Sequence, residues 1–152
     1  MQTATYNIVI RHATDEDMPL VLHLAQQYKL DTRDLKTDNL LVAKEDGTLL
    51  GFGRLKYHKE FTEMGTFAVI PNYRHKGIGH KLMNHLLNIV SGEVYLFTTI
   101  PEYGYRFGFR ELKAIPDFIK KEIDVCKEAH YPEKVYVLWR KPTESDNNHI
   151  SK

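Results

Sequence analysis

Polar and apolar residues alternate from Tyr6 to Arg11, the period of a strand with one buried face. The next periodicity is helical: Met18, Val21, Leu22, Ala25 and Tyr28 fall on one face. Thr14 is the expected N-cap, with Asp15, Glu16 and Asp17 in the first turn, where carboxylates favour the positive end of the dipole. From Leu30 to Asn39 the chain is polar and reads as a loop or a short helix. Strands from Leu40 to Ala43 and from Thr48 to Leu55 flank Asp46-Gly47, whose glycine accepts the positive φ of a tight hairpin. A further strand from Phe61 to Ile70 ends at Pro71. A helix follows from Ile78 to Val90, with Ile78, Leu82, Leu86 and Ile89 on one stripe and Gly92 as its stop. Val94 to Phe97 is continuously apolar, as in a buried strand. A short helical turn around Tyr103 to Phe107 leads to Gly108 and a strand from Phe109. The last elements are a helix from Pro116 to Lys127, with Ile119, Ile123 and Cys126 inward, and a strand from Val135 to Trp139. This order is mixed α+β, without repeats or a Pro/Gly/Ser linker. One domain over residues 1–142 is expected, with 143–152 a polar tail.

Composition narrows the class. The chain has 152 residues, 42% apolar and 27% charged, which suits a globule with one core. A net charge of +1 is too balanced for a nucleic-acid binder held by phosphate contacts. No apolar run approaches the roughly 18 residues of a membrane span. Cys126 is the single cysteine, and the start lacks the basic and apolar runs of a signal peptide. A reducing, cytoplasmic location is the expectation. The eight histidines show no metal spacing joined to a carboxylate or cysteine, so no metal is expected; His58, His80 and His85 read as surface or packing residues, and Cys126 as a buried small hydrophobe.

The chemically informative segment is Val69-Ile70-Pro71-Asn72-Tyr73-Arg74-His75-Lys76-Gly77-Ile78-Gly79-His80. A strand ends, a basic glycine-containing turn follows, and a long helix begins. The first N–H groups of a helix lack internal partners and its dipole favours an anion there. Gly77 and Gly79 carry no side chain to keep a phosphate away. The alternative is a basic turn whose glycines serve geometry alone. Neither the P-loop spacing nor a G-x-G-x-x-G fingerprint is present. Gly51-Phe52-Gly53, inside a strand pattern, marks a bulge or a close backbone approach.

Arg74-His75-Lys76-Gly77-Ile78-Gly79 resembles the R/Q-x-x-G-x-G/A motif of the GCN5-related N-acetyltransferases. Phe67-Ala68-Val69 stands where that family has the cofactor-pairing end of its fourth strand, Gly108-Phe109 resembles its G-F pair, and the element order matches from Tyr6 to Trp139. The resemblance implies a mostly antiparallel mixed sheet, splayed between its fourth and fifth strands and flanked by helices. It implies acetyl-CoA as acyl donor, its pantetheine paired with the main chain of Phe67 and Val69 and its pyrophosphate on the amides of His75 to His80.

Acetyl transfer to an amine needs a neutral nitrogen, whereas a lysine-type amine has a pKa of roughly 10.4. A carboxylate would help to remove the proton. By resemblance Glu63, four residues before Phe67, is that base, with Glu60 in reserve; the alternative is a solvated strand glutamate. Many relatives carry a tyrosine four residues before the G-F glycine, to protonate the leaving thiolate. Here that position is Gly104, between Tyr103 and Tyr105. A helix shorter by one residue would put Tyr105 in the role, with Tyr103 behind it; otherwise both are packing aromatics.

Leu96-Phe97-Thr98-Thr99, Gly108-Phe109-Arg110 and Ile115-Pro116 resemble the amino-acid N-acetyltransferases, the N-acetylglutamate-synthase-like branch. That likeness implies a small α-amino acid as acceptor, whose amine, with a pKa near 8, needs a base less. The expected partners are thus a small-molecule amine and a second copy of the chain as a homodimer, with neither nucleic acid nor membrane. A non-catalytic acyl-CoA sensor of the same fold, and a nucleotide-phosphate binder of another fold, stay open at this point.

Overall fold

The computed structural model describes residues 7–90 and 92–142. Tyr6, the expected start of the first strand, and the polar segment from Thr143 to Lys152 lie outside them. Among the described residues the architecture is α+β, as expected. The elements are β1 (Ile8–His12), α1 (Met18–Gln27), β2 (Leu40–Glu45), β3 (Thr48–Tyr57), β4 (Thr62–Val69), α2 (Ile78–Ile89), β5 (Val94–Thr98), α3 (Pro101–Tyr105), β6 (Arg110–Glu111), α4 (Asp117–His130) and β7 (Tyr136–Arg140). The seven strands run in the order β1-β2-β3-β4-β5-β7-β6. Pairs β1–β2, β2–β3, β5–β7 and β6–β7 are antiparallel, and β4–β5 is parallel. The β4–β5 register matches Glu63 with Tyr95 and Met64 with Leu96. No described helix is long and apolar enough to cross a membrane.

Packing divides the chain into two units: one runs to Leu55 and adds Gly65–Ile89, and the other is Lys56–Met64 with the chain from Val90 onward. In the first, Val21 and Ala25 of α1 bury against Leu40, Val42, Leu49 and Phe52. Leu22, expected on that face, is exposed, since α1 buries only Val21 and Ala25; the helix also begins later than Thr14 suggests. The N-cap position falls to Asp17, and Pro19 in the first turn sets the helical start, where its missing N–H costs nothing. Thr14 instead donates both its N–H and its hydroxyl to the Asp17 carboxylate. Arg11 and Lys44 pair with the same carboxylate at 2.8 and 2.9 Å. The Arg11 hydrogen bond above all, with Lys44 and Thr14, holds Asp17 far below the usual carboxylate range against the cost of burial.

The Asp46-Gly47 hairpin forms as expected, both residues having positive φ, +48° and +81°. Gly51 and Gly53 allow the close approach that the sequence suggests: a Cβ on Gly51 would lie 2.8 Å from the Ala68 carbonyl oxygen, and one on Gly53 2.7 Å from the Phe67 ring. On α2, Ile78, Leu82, Met83, Leu86 and Leu87 are buried, while Ile89, expected on that stripe, is largely exposed at the helix end. Between the glycines and β4 lies a fully buried arginine, Arg54. Its Nε donates to the Thr66 hydroxyl at 2.8 Å, Nη1 to the Arg33 carbonyl at 2.8 Å and Nη2 to the Asp31 carbonyl at 3.0 Å.

In the second unit Tyr95, Val137, Ile119 and Ile123 form a core with Phe61, Phe97 and Trp139 packed around it. Helix α3 begins two residues before the expected turn, again because a proline, Pro101, fits the first helical positions. Gly108, with φ of +85°, reverses the chain into β6. Cys126 is half-buried rather than a core residue, since α4 buries only its Ile119–Ile123 turn.

Two predictions follow from these buried polar groups. Arg54→Leu removes the guanidinium donors to the Asp31 and Arg33 carbonyls and the Thr66 hydroxyl and should cost at least about 2 kcal/mol in urea unfolding; a loss within error of zero would show that the clamp adds nothing. For Asp17 the folded carboxyl has the lower pKa, so its stabilisation is present above the unfolded value of about 3.9 and drains away as pH falls below it. Asp17→Asn should therefore cost about 2 kcal/mol at neutral pH and flatten the acid limb of the stability curve. Parallel parent and variant curves below pH 4 would refute this reading.

Candidate active site

The strand–turn–helix of the first unit is built by local backbone chemistry. Ile70 N–H closes onto the Leu50 carbonyl at 2.8 Å, and residues Pro71–Tyr73 make one 3₁₀ turn. Arg74 donates Nε to the Val69 carbonyl at 2.8 Å, so its guanidinium stitches the turn to the end of β4. His75 and Gly77 both have positive φ, +65° and +82°. A Cβ on Gly77 would meet nothing within 4 Å, so this glycine is there for its backbone angle and not for space. At the start of α2 the Lys81 N–H bonds the Gly77 carbonyl. The amides of Ile78 and Gly79 lie in the first turn of α2, and Arg74, His75, Lys76, Gly77 and His80 are all exposed around them. Alternating right- and left-handed residues at a helix start form a concavity that suits an anion.

Phe67, Ala68 and Val69 are half-buried on β4. The Phe67 ring packs where Gly53 leaves room, beside Leu86 of α2. Just before them Thr66 has a φ of +46°, a conformation a β-branched residue rarely adopts. Its hydroxyl donates to the Asp31 carbonyl at 2.7 Å while accepting from Arg54, which holds the bend in place.

Glu63 lies on β4 in the second unit and is 8% exposed. Its Oε1 stands 2.9 Å from His58 Nε2, and Lys56 Nζ is 3.7 Å from Glu63 Oε1 and 3.7 Å from Glu122 Oε2 on α4. Burial pushes the Glu63 carboxyl above its ordinary value, opposed by the charge of Lys56 and the hydrogen bond from His58. A carboxylate tuned upward is suited to taking a proton near neutrality. The His58 ring stacks on Phe61 at 4.3 Å between centroids, and the His58 backbone amide donates to the Phe61 carbonyl. Glu60, in the same loop, is exposed. His58, Glu63 and Glu122 bring three ligand-type atoms within 4.8 Å of one another, a grouping the sequence spacing did not suggest. The Lys56 ammonium already serves both carboxylates there. His85 bonds the Lys81 carbonyl of its own helix.

The tyrosines separate. Tyr103 is half-buried, 5.3 Å from the Phe107 ring, and burial raises its phenol above the ordinary value. Tyr105 is exposed and lines a cavity of about 650 Å³ with Gly108, Phe109, Arg110, Trp139 and Arg140. Gly104 between them is buried, and a Cβ there would come within 2.6 Å of Leu138 Cδ1 and 3.2 Å of Leu96 Cδ2. A side chain at that position would push the Leu138 and Leu96 side chains aside, and glycine avoids that repacking. Lys56, His58 and Glu122 escape a sequence reading: Glu122 joins from a helix far along the chain, although the His58-x₄-Glu63 spacing across a strand connection was a usable signal.

The comparisons now bear on this arrangement. Solved structures share the fold. The N-acetylglutamate synthase from Neisseria gonorrhoeae, complexed with coenzyme A and N-acetyl-glutamate, has a TM-score of 0.74 at 20% identity. The match covers 92% of this chain and 36% of the synthase, so this chain spans about a third of that protein's length. Rv2747 from Mycobacterium tuberculosis, solved with CoA, has a TM-score of 0.72 at 21% identity over 88% of this chain and 98% of that one. The PaiA N-acetyltransferase from Thermoplasma acidophilum, complexed with coenzyme A, has a TM-score of 0.61 at 18% identity over 89% and 99%. No curated protein sequence matches. The acetyltransferase (GNAT) family matches residues 6–109, and the chain belongs to that family.

Proposed function

We propose that this protein transfers the acetyl group of acetyl-CoA to a primary amine by direct attack in a ternary complex. The observation that carries the reading is the turn before α2, where His75 and Gly77 at positive φ set a basic loop at the N-terminus of a twelve-residue helix. The amides of His75 to His80 hold the pyrophosphate in this proposal, and the main chain of Phe67 to Val69 pairs with the pantetheine arm. The acceptor is a small molecule such as an amino acid, a reading supported by the likeness to a synthase solved with N-acetyl-glutamate.

In the chemical step the amine nitrogen forms a bond to the thioester carbonyl carbon, the C–S bond breaks, and the sulfur leaves as thiolate. Glu63 takes the proton that the nitrogen sheds, and its buried carboxyl, raised above the ordinary glutamate value, is matched to that task. Tyr105 returns a proton to the thiolate. A non-catalytic acyl-CoA-binding domain is the second reading, favoured by Gly104 standing where the thiolate donor is expected and by the exposure of Tyr105.

Acetyl-CoA at 100 times its dissociation constant should stabilise the fold by about 2.7 kcal/mol, and Gly79→Glu, which sets a carboxylate among the helix amides, should abolish that shift while folding normally. A variant that binds as tightly as the parent would remove the pyrophosphate from this turn. Acetylation of an amine panel, followed by mass spectrometry, separates enzyme from sensor. Glu63→Gln should lower the rate by ~10²–10⁴ with little change in acetyl-CoA affinity. The acid limb of parent kcat/KM should lie above the ordinary glutamate pKa of about 4.3, and the variant should lose it. A parent-like rate at neutral pH would take Glu63 out of the mechanism and turn attention to Glu60.

A further inference from the structure

A buried base has a second problem besides taking a proton: it must lose that proton before the next turnover. Glu63 is 8% exposed, so water has little direct access to it. Its neighbours differ sharply in what they can do. Lys56 is a charged donor with no lone pair, so it stabilises the carboxylate but cannot accept from the acid. Glu122 is within salt-bridge distance of Lys56, not hydrogen-bonded to Glu63. His58 alone of the three has a ring nitrogen at hydrogen-bond distance, 2.9 Å from Glu63 Oε1. Imidazole can accept on one nitrogen and release from the other.

The placement of His58 suits a path outward. Its side chain is 21% exposed against 11% for that of Glu63. Its ring is held by the near-parallel stack on Phe61, at 16° between planes, and its backbone amide donates to the Phe61 carbonyl. Nδ1 has no protein partner among the described residues. The charges also fit. With Lys56 charged, both carboxylates ionised and His58 neutral, the four groups carry one positive and two negative charges. One added proton brings the cluster to neutrality, the state that costs least to bury. Tyr95, opposite Glu63 on β5, adds no charge near neutral pH, since burial raises its phenol further.

We propose that His58 acts through Glu63 as a proton relay. This rests on the reading of Glu63 as the base. After Glu63 has taken the amine proton, exchange with water moves the ring proton of His58 from Nε2 to Nδ1, and Oε1–H passes its proton to the freed Nε2. The carboxylate is restored and the ring becomes imidazolium. The imidazolium gives the Nδ1 proton to water, which leaves Nε2–H donating to the restored carboxylate, the starting tautomer. Protons balance at each transfer, and the relay's product is one proton released to solvent per acetylation. His58 is thus a positioning and relay residue and touches no substrate.

The test compares His58→Phe, which keeps a ring to stack on Phe61, with Glu63→Gln and the parent, at saturating acetyl-CoA and acceptor. His58→Phe should lower kcat about 10-fold or more, leave both KM values near the parent's, and regain rate as imidazole is added to the assay. Glu63→Gln should show a deficit that imidazole does not relieve. A His58→Phe kcat within about 2-fold of the parent, with Glu63→Gln impaired, overturns the relay alone. A deficit that imidazole leaves untouched also overturns it, because the histidine is then structural. If Glu63→Gln runs at the parent rate, the base itself is misassigned and the relay falls with it. Should circular dichroism show that His58→Phe does not fold, His58→Gln gives the same readouts under the same criteria.

Discussion

A guanidinium with no exposed surface must have its donors met inside the protein, and Arg54 meets them at three oxygens from two other parts of the chain. That one requirement ties the connection at Asp31 and Arg33 to Thr66 on β4. It also accounts for Thr66. A threonine at φ of +46° is strained by an amount on the order of 1–3 kcal/mol and persists only where its surroundings over-determine it. Here the hydroxyl is gripped from both sides, by Arg54 Nε and by the Asp31 carbonyl. The bend therefore sits at a fixed place on β4, directly before Phe67, Ala68 and Val69. The main chain read as the pantetheine partner is set by a buried charge that touches none of the proposed chemistry.

The other end of β4 follows a different rule. Glu63 is buried among groups of both signs, so its protonation is balanced between desolvation, which raises its pKa, and Lys56 and His58, which oppose the rise. Burial alone would leave the carboxyl neutral and useless as a base. Full ion pairing alone would leave it too weak to take a proton. The observed mixture, with Lys56 shared between Glu63 and Glu122, keeps the group chargeable while holding its basicity up. The aromatic stack of His58 on Phe61, with Phe61 in turn against Tyr95, Phe97 and Phe118, gives this polar cluster an apolar floor.

Much of the fold is legible along the chain. The helical stripe of α2, the Asp46-Gly47 hairpin and the basic turn before Ile78 are local signals, each carried by residues within a few positions of one another. Errors cluster at helix starts. Thr14 reads as a cap and is not one, and α3 begins at Pro101 ahead of the expected turn, because proline in the first helical turn outweighs a capping side chain further back. Leu22, Ile89 and Cys126 share a helical period with buried neighbours yet stay outside the core, since each helix buries a narrower stripe than its apolar residues outline.

Sequence by itself therefore determined the element order, the family and the basic glycine turn before α2, all of which depend on short-range spacing and backbone propensity. Tertiary structure decided what long-range packing decides. It set Gly104 against Leu138 and Leu96, which a side chain there would push aside. It turned Arg54 from a charged residue in a strand into the clamp on Thr66. It also assembled Lys56, His58 and Glu122 around Glu63 from β3, a loop and α4. Charge, burial and proton affinity belong to such assemblies and not to any one residue, because the energy of a buried ion is set by its neighbours in space.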